Sequence, residues 1–429
     1  MTRLTAIQGS SDSAADSGVN KWADNGVDDA NPSRVGAGRR DAPHRLARWG
    51  LLQDLEHPRQ VISAITPNWY ASVMGTGIVA VAAATLPVRI PGLHVAATAV
   101  WALVAAMLIG LTALTALHWW HHTSTARGYA RDTVMAHFYG APPMAMLTVG
   151  AGTLLLGRDW IGLPAAVDID WVLWFAGTLT GLASAAIVPY LMFTTHRARE
   201  DAAFGGWLMP VVPPMVSAST GALLLPYTAA GQLRLSLLLC CYAMFGLSLI
   251  ASLVVITLIW HRLSVFRVGQ ARMVPTLWIV LGPLGQSVTA ANLLGGNAHL
   301  AIAAPYSTAL EVFGVVYGVP VWGFALLWAA LAGAITLRTA ASHLPFSLTW
   351  WSFTFPVGTC VTATSGLTGH TGSDLFRVAS VVLYAGLVGA WALVAVRTAH
   401  GALIRGSLLL AVPNPNPASA GEPALLPGR

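Results

Sequence analysis

Apolar stretches of about twenty residues recur from about residue 67 to residue 398, and short polar breaks separate them. Each stretch is close to the ~20 residues that a helix needs to cross the hydrocarbon core of a bilayer. The pattern therefore predicts a polytopic membrane protein with ten transmembrane helices. Their expected bounds are 67–87, 94–118, 134–156, 171–194, 209–229, 233–260, 274–295, 305–337, 346–368 and 375–398.

The composition supports a chain that lies in a lipid bilayer. Of its 429 residues, 55% are hydrophobic and 9% are charged, whereas soluble proteins carry about 25% charged residues. The net charge of +6 comes from arginines spread through short loops, which is typical of topology control and does not predict a nucleic-acid partner. The three cysteines lie in apolar segments without a metal or disulfide spacing, so no metal or cofactor is expected.

The two ends of the chain differ from its middle. Residues 1–60 are rich in Ser, Asp, Gly, Ala and Arg, which predicts a disordered cytoplasmic tail without a cleaved signal peptide. Residues 401–429 are rich in proline and are also expected to be disordered. The region 61–400 between them is interpreted as the transport domain.

The arginines predict how the helices are oriented. Connections after even-numbered helices contain eight arginines, compared with four after odd-numbered helices. The positive-inside rule then places the even connections and both termini in the cytoplasm, with the helices in the cell (plasma or inner) membrane. The eight are Arg127, Arg131, Arg197, Arg199, Arg262, Arg267, Arg272 and Arg338, and the four are Arg89, Arg158, Arg234 and Arg377.

Glycine and proline recur near the middle of every odd-numbered predicted helix. Proline removes a backbone hydrogen bond, and the freed carbonyl is tolerated in a bilayer only where protein or a water-filled cavity receives it. The alternation predicts an all-α fold of five helical hairpins, with five kinked helices around a central pore. The alternative is that both residues are simply common in membrane helices. The residues are Gly75, Gly77, Pro142, Pro143, Pro213, Pro214, Gly282, Pro283, Pro356 and Gly358.

The same helices carry small hydroxyl and amide side chains that are candidates for a polar pore lining. Interhelical hydrogen bonds, worth about 0.6 kcal/mol each, are the alternative role. The main candidates are Thr76, Ser217, Thr220, Gln286, Ser287 and Thr359, in a wider set that includes Ser219, Thr289 and Thr362.

Two phenylalanines flank the proline of the ninth predicted helix. Phe355 lies near the middle of the span and Phe353 two residues before it. A bulky apolar ring at the waist of a pore closes it by steric block or dewetting. From the residues alone, either ring is a candidate gate, and packing against the outer helices is the alternative.

Three segments resemble the tellurite-resistance/dicarboxylate transporter family, which includes malate permeases, sulfite efflux pumps and slow anion channels. They are PNWYASVMGTGIV at 67–79, LGPLGQ at 281–286 and PFSLTWWSFTFPVGT at 345–359. The resemblance implies five hairpins around a pore, a homotrimer, and a phenylalanine plug at Phe355 framed by Trp351, Phe353 and Pro356. It also implies transport of a small anion, leaving open C4-dicarboxylates such as malate and inorganic anions such as sulfite, tellurite, nitrate and chloride.

One charged side chain bears on the mode of transport. Glu311 is the only acidic residue within the predicted spans, which makes it a candidate for proton coupling in an alternative dicarboxylate symporter. No Lys or Arg falls in the middle of a predicted helix, which favours a channel-like path. An intramembrane enzyme is a remote alternative, because the sequence contains neither HExxH nor G-x-S-x-G. The chain is therefore not expected to be an enzyme.

Overall fold

The computed structural model describes residues 60–195 and 199–409, where all regular secondary structure is helical. The predicted tails lie outside these residues, except that helical turns continue past residue 400 as far as Leu409. Ten helices carry the fold: α1 Tyr70–Thr85, α2 Leu93–His121, α3 Ala141–Gly152, α4 Leu163–Thr194, α5 Pro213–Leu224, α6 Gln232–Phe266, α7 Leu281–Asn297, α8 Tyr306–Ser342, α9 Phe355–Thr371 and α10 Asp374–Ala399.

Seven segments in the described part of the chain are long and apolar enough to cross a membrane. Helices α1, α5 and α9 fall outside this set because they contain 16, 12 and 17 residues. At 1.5 Å per residue, even the longest of the three rises about 26 Å, which is less than the ~30 Å hydrocarbon core. Each of the three follows a short 3₁₀ segment that extends it.

Helix α4 begins earlier than predicted, at Leu163 instead of residue 171. Gly162, with φ of +81°, and Pro164 in the first turn together mark this start, a signal that apolarity alone misses. Asp168 and Asp170 were expected in a loop but lie within the helix, and Asp170 is fully buried. The prediction that Glu311 is the only acidic residue within a span was therefore wrong.

Burial divides the ten helices into two sets. Only 11% of the most apolar part of α2 is buried, compared with 89% of the corresponding part of the segment Ala271–Leu300, which contains α7. The even-numbered helices carry large apolar side chains on the molecular surface, and the odd-numbered ones are buried along most of their length. Contiguous exposed apolar surface on this scale is typical of contact with lipid. Exposed examples are Ile109, Phe193, Ile250, Leu337 and Val396.

The buried helices contact one another in a closed cycle. Helix α1 contacts α3, α3 contacts α5, α5 contacts α7, α7 contacts α9, and α9 contacts α1. Each also packs against the exposed helix that follows it in the chain, so that α2, α4, α6, α8 and α10 surround the cycle. The result is an inner ring of five helices inside an outer layer.

Proline marks the point where a 3₁₀ segment changes into an α-helix in four inner helices. Pro142, Pro213, Pro283 and Pro356 all lie within the first three residues of α3, α5, α7 and α9. A first-turn N–H has no partner within the helix, so proline there removes no intrahelical hydrogen bond. The sequence predicts kinks at these prolines. In the structure, the chain instead changes from a 3₁₀ segment to an α-helix there.

Glycines allow the inner helices to pack backbone against backbone. A methyl group on Gly285 of α7 would lie 2.6 Å from the backbone nitrogen of Cys360 on α9. Similar additions at Gly75 and Gly358 would collide with Thr354 and Ile78. These three sites bring α9 against both of its neighbours in the ring, α1 and α7.

We expect Gly285→Ala to destabilise the protein by about 1–3 kcal/mol, because the added methyl meets backbone atoms that cannot rotate away. Gly386→Ala is a matched control, since nothing lies within 4 Å of its added carbon on α10. The apparent melting temperature in detergent should fall by several degrees for the first variant only. Equal melting temperatures for both variants would show that the contact between α7 and α9 is looser than described.

Candidate functional site

A cavity of about 310 Å³ lies inside the inner ring, and all five inner helices line it. None of the residues that line it is Lys, Arg, His, Asp or Glu. Its polar surface consists of hydroxyl groups and one amide, from Thr85, Thr148, Ser219, Thr220, Gln286, Thr289, Thr362 and Ser365. The rest of the wall is apolar, so the cavity is largely apolar with scattered polar groups and carries no formal charge.

Several of these polar groups hydrogen-bond across the ring. Gln286 Nε2 on α7 donates to Ser219 Oγ on α5, and the hydroxyls of Thr289 and Thr362 lie 2.8 Å apart between α7 and α9. Ser365 Oγ is buried and has no partner among the described residues. The second Nε2 hydrogen of Gln286 and the Ser365 hydroxyl are the donors left for a solute.

A second, smaller cavity of about 20 Å³ lies at the beginning of the same five helices. Its lining includes Met74, Met144 and Val212, which are apolar, together with the Gly282–Pro283 turn of α7. In α1, α3, α7 and α9, residues early in the α-helix line the small cavity and later residues line the large one. The segment directly before α5 lines the small cavity through Met209 and Val212, and α5 itself lines the large one. The five helices therefore run in the same direction.

Phe355 lines both cavities and is 3% exposed. It is the first residue of α9, directly before Pro356. Thr354 holds the preceding turn, since its Oγ1 donates to the Trp351 carbonyl at 2.7 Å. The change from the Leu348–Phe353 3₁₀ segment to α9 thus places the Phe355 ring between the two cavities.

The other aromatic residues of this segment point away from the axis. Trp351 Nε1 donates to Thr398 Oγ1 on α10 at 3.1 Å. The Phe353 ring meets the rings of Trp278 and Trp350 edge to face, with centroids 5.7 and 5.6 Å away. Phe353 does not line either cavity. Trp351 and Phe353 therefore anchor the segment that carries Phe355.

Of the six main candidates for the pore lining, Thr220 and Gln286 line the large cavity. Thr359 is fully buried between α7 and α9 and donates to the Pro356 carbonyl at 2.7 Å. It therefore bonds within the wall of the ring.

The remaining three candidates hydrogen-bond to outer helices. Thr76 accepts from Trp391 of α10 at 3.2 Å, and Ser287 accepts from Tyr317 of α8 at 2.8 Å. Ser217 accepts from a threonine of α4 at 2.9 Å. These contacts correspond to the interhelical role that the sequence left open.

Sequence reasoning missed Thr85, Thr148 and Ser365 as residues of the cavity wall. Ser365 lies three residues after Thr362, and this spacing places both on one face of a helix. Thr148 and Thr85 carry no comparable signal, because only the closure of the ring brings them to the axis.

Glu311 and Asp170 are acidic side chains of outer helices, and neither lines an axial cavity. Glu311 on α8 is 59% exposed, and its Oε1 lies 3.7 Å from Nδ1 of His370 on α9. Asp170 on α4 is fully buried against Gly150, and neither carboxyl oxygen has a hydrogen-bond partner among the residues described. In the same part of the chain, no group of three or more His, Cys, Asp or Glu is arranged to hold a metal ion.

The ring of buried helices, the apolar outer layer and the uncharged axial cavity are features of a helical membrane protein with a central path for a small solute. Residues 64–399 match the model of the voltage-dependent anion channel family, and the chain belongs to this family. The family resemblance inferred from the three sequence segments is confirmed.

The chain is also similar along most of its length to several transporters. It is 27% identical over 351 residues to the sulfite efflux pump of Arthroderma otae, covering 79% of this chain and 91% of that protein. It is 26% identical over 345 residues to an uncharacterized transporter of Methanocaldococcus jannaschii, covering 80% and 93%. The sulfite efflux pump of Candida albicans is 24% identical, over 73% of this chain and 68% of that protein.

The placement of Phe355 generates a prediction about access to the large cavity. Ser365→Cys puts a thiol of similar size at a position whose hydroxyl has no partner. We expect a charged, membrane-impermeant thiol reagent to modify this cysteine from one side of the membrane only. In the double variant with Phe355→Ala, we expect modification from both sides, because the wall between the cavities is removed.

Intact cells and inverted vesicles give the reagent access to opposite sides of the membrane. The protein with its native cysteines alone measures the background, which comes from the exposed Cys240 because Cys241 and Cys360 are buried. Modification from both sides with Phe355 intact would show that the ring does not separate the cavities.

Proposed function

We propose that this protein moves small inorganic anions, sulfite among them, across the cell membrane through the centre of the inner ring. Phe355 is the gate that closes this path. The observation that supports the proposal most directly is the position of the Phe355 ring as a shared wall of two axial cavities. The activity is transport and involves no catalytic step or cofactor.

The proposed topology is ten transmembrane helices in five hairpins. In each hairpin an inner helix, completed by its 3₁₀ segment, pairs with the outer helix that follows it. The arginines of the connections after even-numbered helices place those connections and both termini in the cytoplasm. The assembly proposed from the family resemblance is a homotrimer.

Because the inner helices all run in the same direction, their dipoles attract anions, and no side chain with a fixed positive charge is needed. All five begin near the small cavity, and the N-terminal end of a helix carries a partial positive charge. Such dipoles attract an anion weakly enough for it to leave again, which rapid conduction requires. The Gln286 amide and the Ser365 hydroxyl supply hydrogen bonds along the way.

The uncharged lining also favours monovalent anions over dicarboxylates. The cost of moving an ion from water into a medium of low dielectric constant rises with the square of its charge, and a dianion needs charged partners to offset it. None of the cavity-lining residues provides one. We therefore propose that sulfite passes as its protonated monoanion and that malate passes poorly.

The gate acts by filling the narrowest part of the path with an apolar ring. Around Phe355 the small cavity is lined by methionine and valine side chains, which do not replace the hydration of an anion. Opening the path then requires the Phe355 ring to move aside.

The similarity to proteins named sulfite efflux pumps supports the substrate class. Those relatives align with most of this chain. Sulfite is therefore the first anion to test.

We expect Phe355→Ala to raise anion flux severalfold in proteoliposomes, because an alanine leaves the waist of the path open. Sulfite, nitrate, chloride and malate are offered separately, and efflux is followed for each. Sulfite, nitrate and chloride should pass faster through the variant than through the wild type, and malate should remain slow.

Phe353→Ala is the matched control, since it removes an equal ring two residues away that contacts Trp278 and Trp350 outside the axial cavities. We expect a much smaller rise in flux from this control than from Phe355→Ala, because the hydrogen bond from Trp351 to Thr398 still holds the segment. Equal flux from a folded Phe355→Ala and the wild type would refute the gate. Absence of flux for all four anions in both proteins would refute anion transport itself.

A further inference from the structure

His370 lies at the rim of the large cavity, at the end remote from Phe355. It is one turn beyond Gly366 on α9, and Gly366 lines the cavity. The imidazole packs against α7, with Nε2 3.2 Å from the Asn292 carbonyl oxygen and Cε1 3.5 Å from where a methyl on Gly296 would lie. Its side chain is 19% exposed. An anion that enters the cavity at this end passes close to His370.

The contacts of His370 define where its protons are held. A backbone carbonyl only accepts hydrogen bonds, so Nε2 carries a hydrogen toward Asn292. The other ring nitrogen, Nδ1, faces Oε1 of Glu311 at 3.7 Å. When Nδ1 carries no proton, its lone pair faces a lone pair of Glu311 Oε1 across this gap. A proton on Nδ1 converts the contact into an ion pair.

We propose that His370 and Glu311 form a proton-binding site, here termed the rim pair, which controls how readily anions enter the large cavity. The rim pair rests on the proposed transport function and adds a regulatory input to it. Protonation of His370 neutralises the negative charge of Glu311 at the rim and removes its repulsion of incoming anions.

The other charged groups near His370 do not offset the change in charge that its protonation causes. On α10, Arg377 pairs with Asp374 at 2.7 Å. After α7, His299 lies in an exposed turn with Nδ1 2.8 Å from the Gly296 carbonyl. Helix α1 contributes no charged side chain, and on α8 the facing group is Glu311.

Arg234 lies at the same end of the inner ring and is also held by hydrogen bonds. Its guanidinium donates to the carbonyl oxygens of Thr228 and Leu300, at 2.6–3.2 Å, and so joins the loops after α5 and α7. Arg234 keeps its charge at every relevant pH. Arg234 therefore does not supply a pH-dependent charge at the cavity rim.

The direction of the pH effect follows from these charges. When the imidazole is protonated, the rim pair is neutral overall and anion flux is high. As the pH rises and Nδ1 loses its proton, the rim becomes negative and flux falls. A change of one charge at about 10 Å, in a partly aqueous mouth, corresponds to about a two- to fourfold change in local anion concentration.

The experiment measures flux through wild-type protein in liposomes with the same buffer on both sides, from pH 5 to pH 8.5. Nitrate and chloride are the probes, because their charge does not change in this range. We expect wild-type flux to fall about two- to fourfold as the pH rises, with a single midpoint. We expect His370→Gln to remove this dependence.

His299→Gln is the matched control, because it removes a histidine from the same end of the molecule that contacts Gly296 but not Glu311. It should keep the wild-type pH profile. Glu311→Gln should raise flux at high pH, because it removes the negative charge from the rim. Since the Glu311 side chain is largely exposed, this variant tests the rim pair even if His370→Gln does not fold.

The outcomes separate the two proposals. Failure of wild type and Phe355→Ala to pass any anion would overturn the transport function. Wild-type flux that is independent of pH, or a pH profile unchanged in both His370→Gln and Glu311→Gln, would overturn the rim pair and leave transport intact.

Discussion

The fold depends on the need to satisfy every backbone hydrogen bond inside a bilayer. Each unpaired backbone N–H or C=O group in contact with lipid costs several kcal/mol. Irregular segments must therefore be enclosed by other helices. The five changes from 3₁₀ to α-helix all occur in helices of the inner ring, and regular helices of the outer layer surround them. The same arrangement leaves a space along the axis where the broken helices meet.

Close packing within the ring makes this arrangement possible. Gly75, Gly285 and Gly358 bring α9 against α1 and α7 at distances that no side chain would allow. Because α9 is held on both sides, the position of its first residue is fixed relative to the axis. The Trp351 hydrogen bond to Thr398 and the contacts of Phe353 hold the segment before it. The backbone that carries Phe355, the proposed gate, is thus held on several sides.

Charge is distributed so that the path is neutral and its entrance is not. The wall of the large cavity contains apolar side chains, hydroxyl groups and one amide but no charged group, and the proposed rim pair lies one turn beyond it. Asp170, on α4, is buried against Gly150 of α3 and lies away from both axial cavities. Nothing in the contacts of Asp170 links it to the anion path.

The sequence by itself determined that the chain is a helical membrane protein, approximately where most of its helices lie, and which of them contain breaks. These features depend on the length of apolar segments and on the local chemistry of glycine and proline, which neighbouring residues specify. The start of α4 was misplaced because Asp168 and Asp170 look like loop residues until α3 is seen to cover Asp170. Only the tertiary structure decided which hydroxyl groups face the axis, since Thr76, Ser217 and Ser287 match Thr220 in type but bond to outer helices. It also brought His370 to Glu311, because that contact depends on how α8 and α9 pack and the two residues are far apart in the chain.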